Sequence, residues 1–397
     1  MGWIGSLVPL GAFIFCLVTG KICDVLGRKT TLLLITLPYL LGWVLVIWSR
    51  SLLMLYLGRC FTGIAAGATS IASPLYINEI AEKDIRGTLG SYFQLMVTVG
   101  ILYSYLFGKY LSMTNYTFAC AAVPLVFFVL FSFQPETPMH YLQKKQNLKA
   151  KASLYRLRGS KYDVDGELLD MESTLQNQSE VSASSLLSRR VVKGLTITLG
   201  LMFFQQFCGI NAVIFYTSQI FKETQVKIDP QVASIIIGVV QVVATFISSL
   251  IVDRTGRKVL LICSLFVIGV SSLLLGLFFT LKHREDTLAS LACLPIASLC
   301  VYIIAFSLGL GPIPWIIPSE IFATNIKGVA CSLAGSLNFF LAFLITKFFL
   351  DIETEVGDDT SFYFFAVVSF LGALFVMFIL PETKGKTIEQ IEFELDH

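Results

Sequence analysis

The sequence predicts an all-α membrane protein built as two parallel halves. Three observations carry this: a shortage of charge, eleven apolar runs of bilayer-spanning length, and charged motifs that recur in the same order. Charged residues make up 14% of 397 positions, and mean hydropathy is +0.76. An ordinary soluble domain carries roughly a quarter charged residues. Too little charge is present to cover a water-soluble body of this size, and a bilayer is the solvent that fits.

A spanning helix needs about 20 mainly apolar residues. The runs that qualify are 3–20, 31–48, 52–77, 88–109, 116–133, 194–221, 231–252, 259–281, 288–315, 326–349 and 361–380. The first is not a secretory signal, because it has no basic n-region and no small-residue cleavage site. Most breaks are short. The exception, 134–193, is polar and carries ten Lys/Arg, and reads as a helical linker with a turn at Arg158-Gly159. The expected organisation is a transmembrane half over 1–133, a cytoplasmic linker over 134–193, a second transmembrane half over 194–380 and a tail over 381–397.

Basic loops mark the cytoplasmic side of a membrane protein. Lys21, Arg28 and Lys29 fall on one side. By alternation so do Lys83, Arg86, the linker, Arg254, Arg257, Lys258, Lys327 and the tail. The loop at 351–359, "DIETEVGDD", is acidic and falls on the other side, while "KHR" at 282–284 is a small exception.

Internal repeats settle the architecture. "DVLGRK" at 24–29 returns as "DRTGRK" at 253–258, "NEIAEKDIRG" at 78–87 as "SEIFATNIKG" at 319–328, and "QPETP" at 134–138 as "LPETK" at 380–384. Parallel repeats of this kind are characteristic of transporters. Two spans precede the second copy of the first motif, but only one precedes the first copy. The repeat therefore implies one further helix ahead of residue 1, giving six spans in each half and both termini in the cytoplasm.

Charge near hydrocarbon must be paired or solvated. Asp24 and Arg28 are four apart, as are Asp253 and Arg257, so each pair shares a helix face. Asp24, Arg28, Glu79, Arg86, Asp253, Arg257, Glu320 and Lys327 read as a cytoplasmic latch, pairing helix ends of the two halves in one state and separating in the other. The alternative is that the basic residues only mark topology. Arg59, near the outer end of its span, has no assigned role at this stage.

Inside the spans, "FFQQFCGINAVIFYTSQ" at 203–219 places Gln205, Gln206 and Asn211 in apolar surroundings. Amides there either line a cavity or bond one helix to another. "LGLGPIPW" at 308–315 holds Gly311, Pro312 and Pro314, which break the helical ladder. That break reads as a hinge, or alternatively as a static packing kink. Gly63 and Gly67 form a G-x-x-x-G that permits close helix packing.

"GRKTTLLL", "PLYINEIAEKDIRGTLGSYFQLMVTVGILYSY", "QQFCGINAVIFYTSQIF", "DRTGRK", "GPIPWIIPSEIF" and "PETKGKTIEQIE" together resemble the sugar porter family of the major facilitator superfamily, over essentially the whole chain. The wording is most similar to the trehalose-transporter-like branch of insects, next to the glucose facilitators. The resemblance implies a major facilitator fold, a monomeric transport unit in the cell membrane and a small-molecule sugar as substrate. It implies sugar contacts at Gln205, Gln206, Asn211, Gln241, Trp315 and Asn338, and an outer closure at Tyr216, with Phe215 beside it. Tyr105 stands where glucose facilitators tend to have Gln, and Ser307 where they tend to have Glu. Both would reshape the site and leave trehalose and glucose open as substrates.

Facilitated uniport is the expected mode, because no Asp or Glu lies deep in any of the eleven spans. Proton symport is the alternative; in the family's symporters the coupling acid lies on the helix that would precede these eleven. A non-transporting sensor is a third reading, disfavoured by the 17-residue tail. No Ser/His/Asp cluster, phosphate loop or metal-ligand spacing appears, so neither an enzyme nor a cofactor, metal or nucleic-acid partner is expected. The nine cysteines form no C-x-x-C. Asn115 is a glycosylation sequon on the outer side, and Asn177 one on the cytoplasmic side.

Overall fold

A computed structural model describes residues 2–82, 85–159, 162–179, 189–214, 229–283, 294–322, 324–386, 390–391 and 393–394. Among these residues all regular structure is helical. Eleven helical segments are long and apolar enough to cross a membrane. The first span is α1 (Gly2–Leu26), the second α2 (Arg28–Leu34) with α3 (Thr36–Ile47), followed by α4 (Leu52–Ile80), α5 (Arg86–Tyr110) and α6 (Met113–Ser132). Short helices α7 (Pro138–Gln143), α8 (Asn147–Arg158) and α9 (Val164–Ser179) lie in the linker. The second half holds α10 (Arg189–Phe207), α11 (Pro230–Thr255), α12 (Arg257–His283), α13 (Leu294–Ala305), α14 (Ile313–Ile321), α15 (Thr324–Val356) and α16 (Asp358–Ile379). A π-helical turn, Phe306–Leu310, joins α13 to α14 within one span.

The helix starts follow from local chemistry. Hydroxyl and carboxylate side chains at the N-cap satisfy the first free N–H groups of a helix. Ser51 accepts from Met54 N–H, Ser112 from Asn115 N–H and Asp229 from Gln231 N–H. Pro138 and Pro230 occupy first helical positions, where a missing N–H costs nothing. The membrane helices run past the apolar stretches at the ends that carry the repeated charged motifs, because Arg28 and Arg257 are themselves first helical residues.

The halves meet along two seams, α1 against α15 and α5 against α11. On the α1 seam, Gly20 N–H donates to Ser332 Oγ at 3.1 Å and Ser336 Oγ donates to Phe13 C=O at 3.0 Å. Gly63 and Gly67 let α4 close onto the α1 backbone at Val8 and Ala12, the packing their spacing implies. The halves differ in one respect. In the second, α10 packs against α14, α15 and α16. By the repeat, the counterparts of α15 and α16 are α5 and α6. Their membrane windows are 22% and 11% buried, against 50% and 44% for α15 and α16. An apolar cavity of about 480 Å³ is lined by Tyr103 of α5 and by residues from Ala119 of α6 to Gln134 just past its end.

Candidate functional site

Between the halves lies a cavity of about 430 Å³, within the range of about 300–1,000 Å³ typical of small-molecule sites. The first half lines it with Tyr39, Thr69, Ser70, Phe93 and Gln94 among others. The second supplies Gln205, Gln206, Asn211, Gln241, Trp315 and Asn338. Six of the eight substrate residues expected from the sequence therefore converge. The lining is rich in amides and aromatics and, among the described residues, contains no Asp, Glu, Lys or Arg.

The amides are ordered by one another. Asn211 Nδ2 donates to Gln206 Oε1 at 2.5 Å, and Gln206 Nε2 donates to Asn338 Oδ1 at 2.9 Å. Asn338 Nδ2 donates to Gln205 Oε1 at 2.7 Å. Each amide offers both donors and an acceptor, so this chain presents a preformed row of polar groups to anything rich in hydroxyls. Gln241 Oε1, buried at the wall, has no hydrogen-bond partner. Trp315 sits on the cytoplasmic side of the helix break, its ring 5.8 Å from Phe93 of the first half and 6.4 Å from Phe339.

Two expected substrate residues lie elsewhere. Tyr105 is not in the cavity lining; its hydroxyl donates to the C=O of Ile214, a lining residue, at 2.8 Å, tying α5 to the end of the α10 span. Tyr105 is eleven residues, or about three turns, beyond Gln94, and Gln94 is the amide that α5 presents to the cavity. Sequence reasoning passed over Gln94, although an amide in the apolar run "SYFQLMVTV" was its signal. Ser307 falls in the π turn, which leaves it 1% exposed and outside the lining, its hydroxyl without a partner; Phe306 reaches the cavity instead. Gly311, Pro312 and Pro314 sit at the junction of the π turn and α14. Tyr216 and Phe215 lie outside the described residues.

The charged motifs build one network twice. Arg28 Nη2 is 2.9 Å from both Asp24 and Glu79, and Thr137 hydroxyl donates to Glu79 at 2.6 Å. Arg257 Nη2 is 2.9 Å from Asp253 and 2.8 Å from Glu320, and Thr383 hydroxyl donates to Glu320 at 2.5 Å. Glu136 accepts from Lys29 N–H at 2.9 Å, capping α2, and Glu382 accepts from Arg257 N–H at 2.9 Å, capping α12. Burial pushes the Glu382 carboxyl up, but the N–H groups of Lys384, Arg257 and Lys258 outweigh it and hold it below the usual range. Gly27 and Gly256 make this possible: their φ values, 97° and 92°, belong to glycine, and a β-carbon on either would strike the capping carboxylate.

This geometry corrects the latch at its two arginines. The ion pairs of Arg28 and Arg257 close within each half, not between halves. What crosses the seam is Thr88 hydroxyl donating to Asp253 Oδ2 at 2.9 Å. It forms beside Gly87, where a β-carbon would collide with the same carboxylate. Lys327 of α15 lies near enough to Glu79 to act on it electrostatically. The side chain of Arg86 is outside the described residues. At the outer end of the same seam Lys109 pairs with Asp229 at 3.1 Å, a link the sequence did not announce. Arg59 donates to Ile4 C=O at 3.1 Å, joining α4 to α1.

A clamped pair of helical halves around a neutral, amide-lined chamber defines a membrane transporter. Residues 1–395 match the family described as "Sugar (and other) transporter", and the chain belongs to that sugar transporter family. It is 39% identical over 396 residues to facilitated trehalose transporter Tret1 of Bombyx mori, covering 99% of this chain and 78% of that protein. Against Tret1 of Anopheles gambiae it is 38% identical, covering 98% of this chain and 50% of that one. The proton:xylose symporter XylE shares the fold, with a TM-score of 0.85 at 24% identity over 99% of this chain and 89% of that chain.

Proposed function

We propose that this chain carries trehalose, or a hexose such as glucose, across the membrane by uniport with alternating access. The observation that carries the reading is the chamber between the halves: six amide and indole side chains from the second half, Gln94 and hydroxyls from the first, and, among the described residues, no Asp, Glu, Lys, Arg or His. Sugars need many donors and acceptors together with flat apolar surfaces, and the amide row with Trp315 offers both. A proton-coupled carrier usually needs an intramembrane carboxylate, and none lines the chamber among the described residues. The trehalose transporters at 38–39% identity favour the disaccharide.

The test is uptake of labelled trehalose and glucose into vesicles holding the purified chain, with and without an imposed proton gradient. Saturable uptake that equilibrates the sugar and ignores the gradient is expected. Accumulation driven by the gradient would replace uniport with symport. Binding without uptake would favour a sensor.

A further inference from the structure

The span "AFSLGLGPIPWIIP" at 305–318 has a bookkeeping problem in its backbone. Pro312 and Pro314 have no N–H. In a continuous helix those groups would serve the carbonyls of Leu308 and Leu310. In a bilayer, backbone polar groups freed by a break must be paired inside the protein. The structure pairs them with side chains from two other helices, and a third helix supplies a hydroxyl to the turn before the prolines.

Ser248 of α11 donates to Leu308 C=O at 2.9 Å. Gln205 of α10 donates to Leu310 C=O at 2.7 Å and to Gly311 C=O at 3.0 Å. Ser264 of α12 donates to Ala305 C=O at 2.7 Å and accepts from Leu310 N–H at 3.1 Å, so one hydroxyl is spliced into the ladder. The remaining π contact is Gly311 N–H to Phe306 C=O at 2.7 Å. All three side chains are buried. A π turn inside a helix frequently marks a functional position, and here its shape is held from outside the helix.

We propose that Gln205, Ser248 and Ser264 are positioning residues that staple the broken span, and that Gln205 is the staple through which an occupant of the chamber reaches the break. The serines do not line the chamber, whereas Gln205 does. Its oxygen is taken by Asn338, and its nitrogen by Leu310 and Gly311. A sugar oxygen that accepts from this nitrogen competes with the carbonyls of Leu310 and Gly311, and so alters the cap on Gly311, four residues before Trp315. The serine staples are untouched by occupancy and set the resting bend.

The second part of this inference rests on the sugar-transport reading, so the test has a sugar-independent arm. Hydrogen–deuterium exchange is followed over 305–316 in detergent without sugar. Ser264→Ala removes the acceptor of Leu310 N–H and is expected to speed exchange about threefold to tenfold, the range of a single interhelical hydrogen bond. Ser264→Thr, which keeps the hydroxyl, is expected to restore protection. Ser248→Ala, which frees only a carbonyl, gives a smaller increase in the same peptide. Unchanged exchange in both alanine variants overturns the staple, whatever the transport result. In vesicles both alanine variants should change turnover and leave sugar Kd unchanged, whereas Gln205→Leu changes both. Equal changes in Kd and turnover for the serine variants overturn the division of roles. Wild-type protein that takes up no sugar would defeat the transport reading and leave the exchange result standing.

Discussion

Removing the Thr88 hydroxyl should loosen the cytoplasmic seam and leave each half intact. Thr88→Val deletes the one group that donates across the seam to Asp253 and keeps the side-chain shape. Asp253→Ala deletes the acceptor, while Arg257 retains Glu320 through bonds of 2.8 and 3.1 Å. A hydrogen bond to a charged group contributes about 1.5–3 kcal/mol. The Asp253 side chain is 31% exposed, and solvent screening reduces that to about 1 kcal/mol. At 1.36 kcal/mol per decade, this is about a fivefold shift toward the form open to the cytoplasm.

The assay is modification of a single cysteine placed at Gly90, which faces Ile316 across the seam and Asn78 of its own half, in a background freed of other reactive cysteines. Each single variant should label about fivefold faster, and the double variant no faster than either, because both remove the same bond. Unchanged labelling in Thr88→Val, or additive effects in the double variant, would refute the reasoning.

Three further outcomes follow from the same geometry. His140 Nδ1 lies 3.4 Å from Arg28 Nη1, and burial, with Arg28 and Lys144 nearby, holds the imidazole below its ordinary value against the opposing pull of Glu136 and Asp24. The unfolded chain then binds the extra proton more readily, so stability should fall as pH drops from about 6.5 toward the lowered folded value; melting of purified protein across pH 5–8 should show this, and His140→Gln should flatten it. Gly256→Ala and Gly27→Ala force a side chain into a glycine-only conformation and onto the capping carboxylate, at about 1–3 kcal/mol each, measurable as earlier thermal unfolding. Gln241→Leu removes a buried acceptor that lacks a partner among the described residues, and should weaken sugar affinity about threefold to tenfold without lowering the melting temperature.

Much of this was legible in the sequence, for identifiable reasons. Spans are legible because a bilayer demands long apolar runs, and the duplicated charged motifs are legible because charge is so rare between those runs. Gln205, Gln206 and Asn211 stood out as three amides in one window. Gln94 did not, being a lone amide in an unremarkable run. The π turn escaped notice because its register depends on Ser264, forty-one residues away. Tyr105 and Ser307 were placed by resemblance, which gives positions along a helix but not the depth or rotation that puts one in the wall. The latch partners were misassigned because recurring charges reveal which residues pair in kind, not which helix ends are neighbours.

That last correction changes what the charged motifs do. Arg28 and Arg257 are 3% and 7% exposed, and removing one partner of a buried ion pair costs about 3–5 kcal/mol. Because each arginine finds its carboxylates within its own half, the halves can move against each other without breaking these pairs. The network instead ties four elements within one half: the loop, its following helix, the span carrying the glutamate, and the capping motif after the last span. It recurs in the other half with the same partner types at nearly the same distances. Two stiff bodies joined by weak links are what alternating access requires. The weak links are the hydroxyl bonds of the seams, Thr88 to Asp253 and Gly20 to Ser332, with the half-exposed Lys109–Asp229 pair at the outer end. On this argument charge-reversing Glu320 with Arg257 disrupts a folded half, whereas removing Thr88 or Ser332 hydroxyls shifts only which side of the chamber is open.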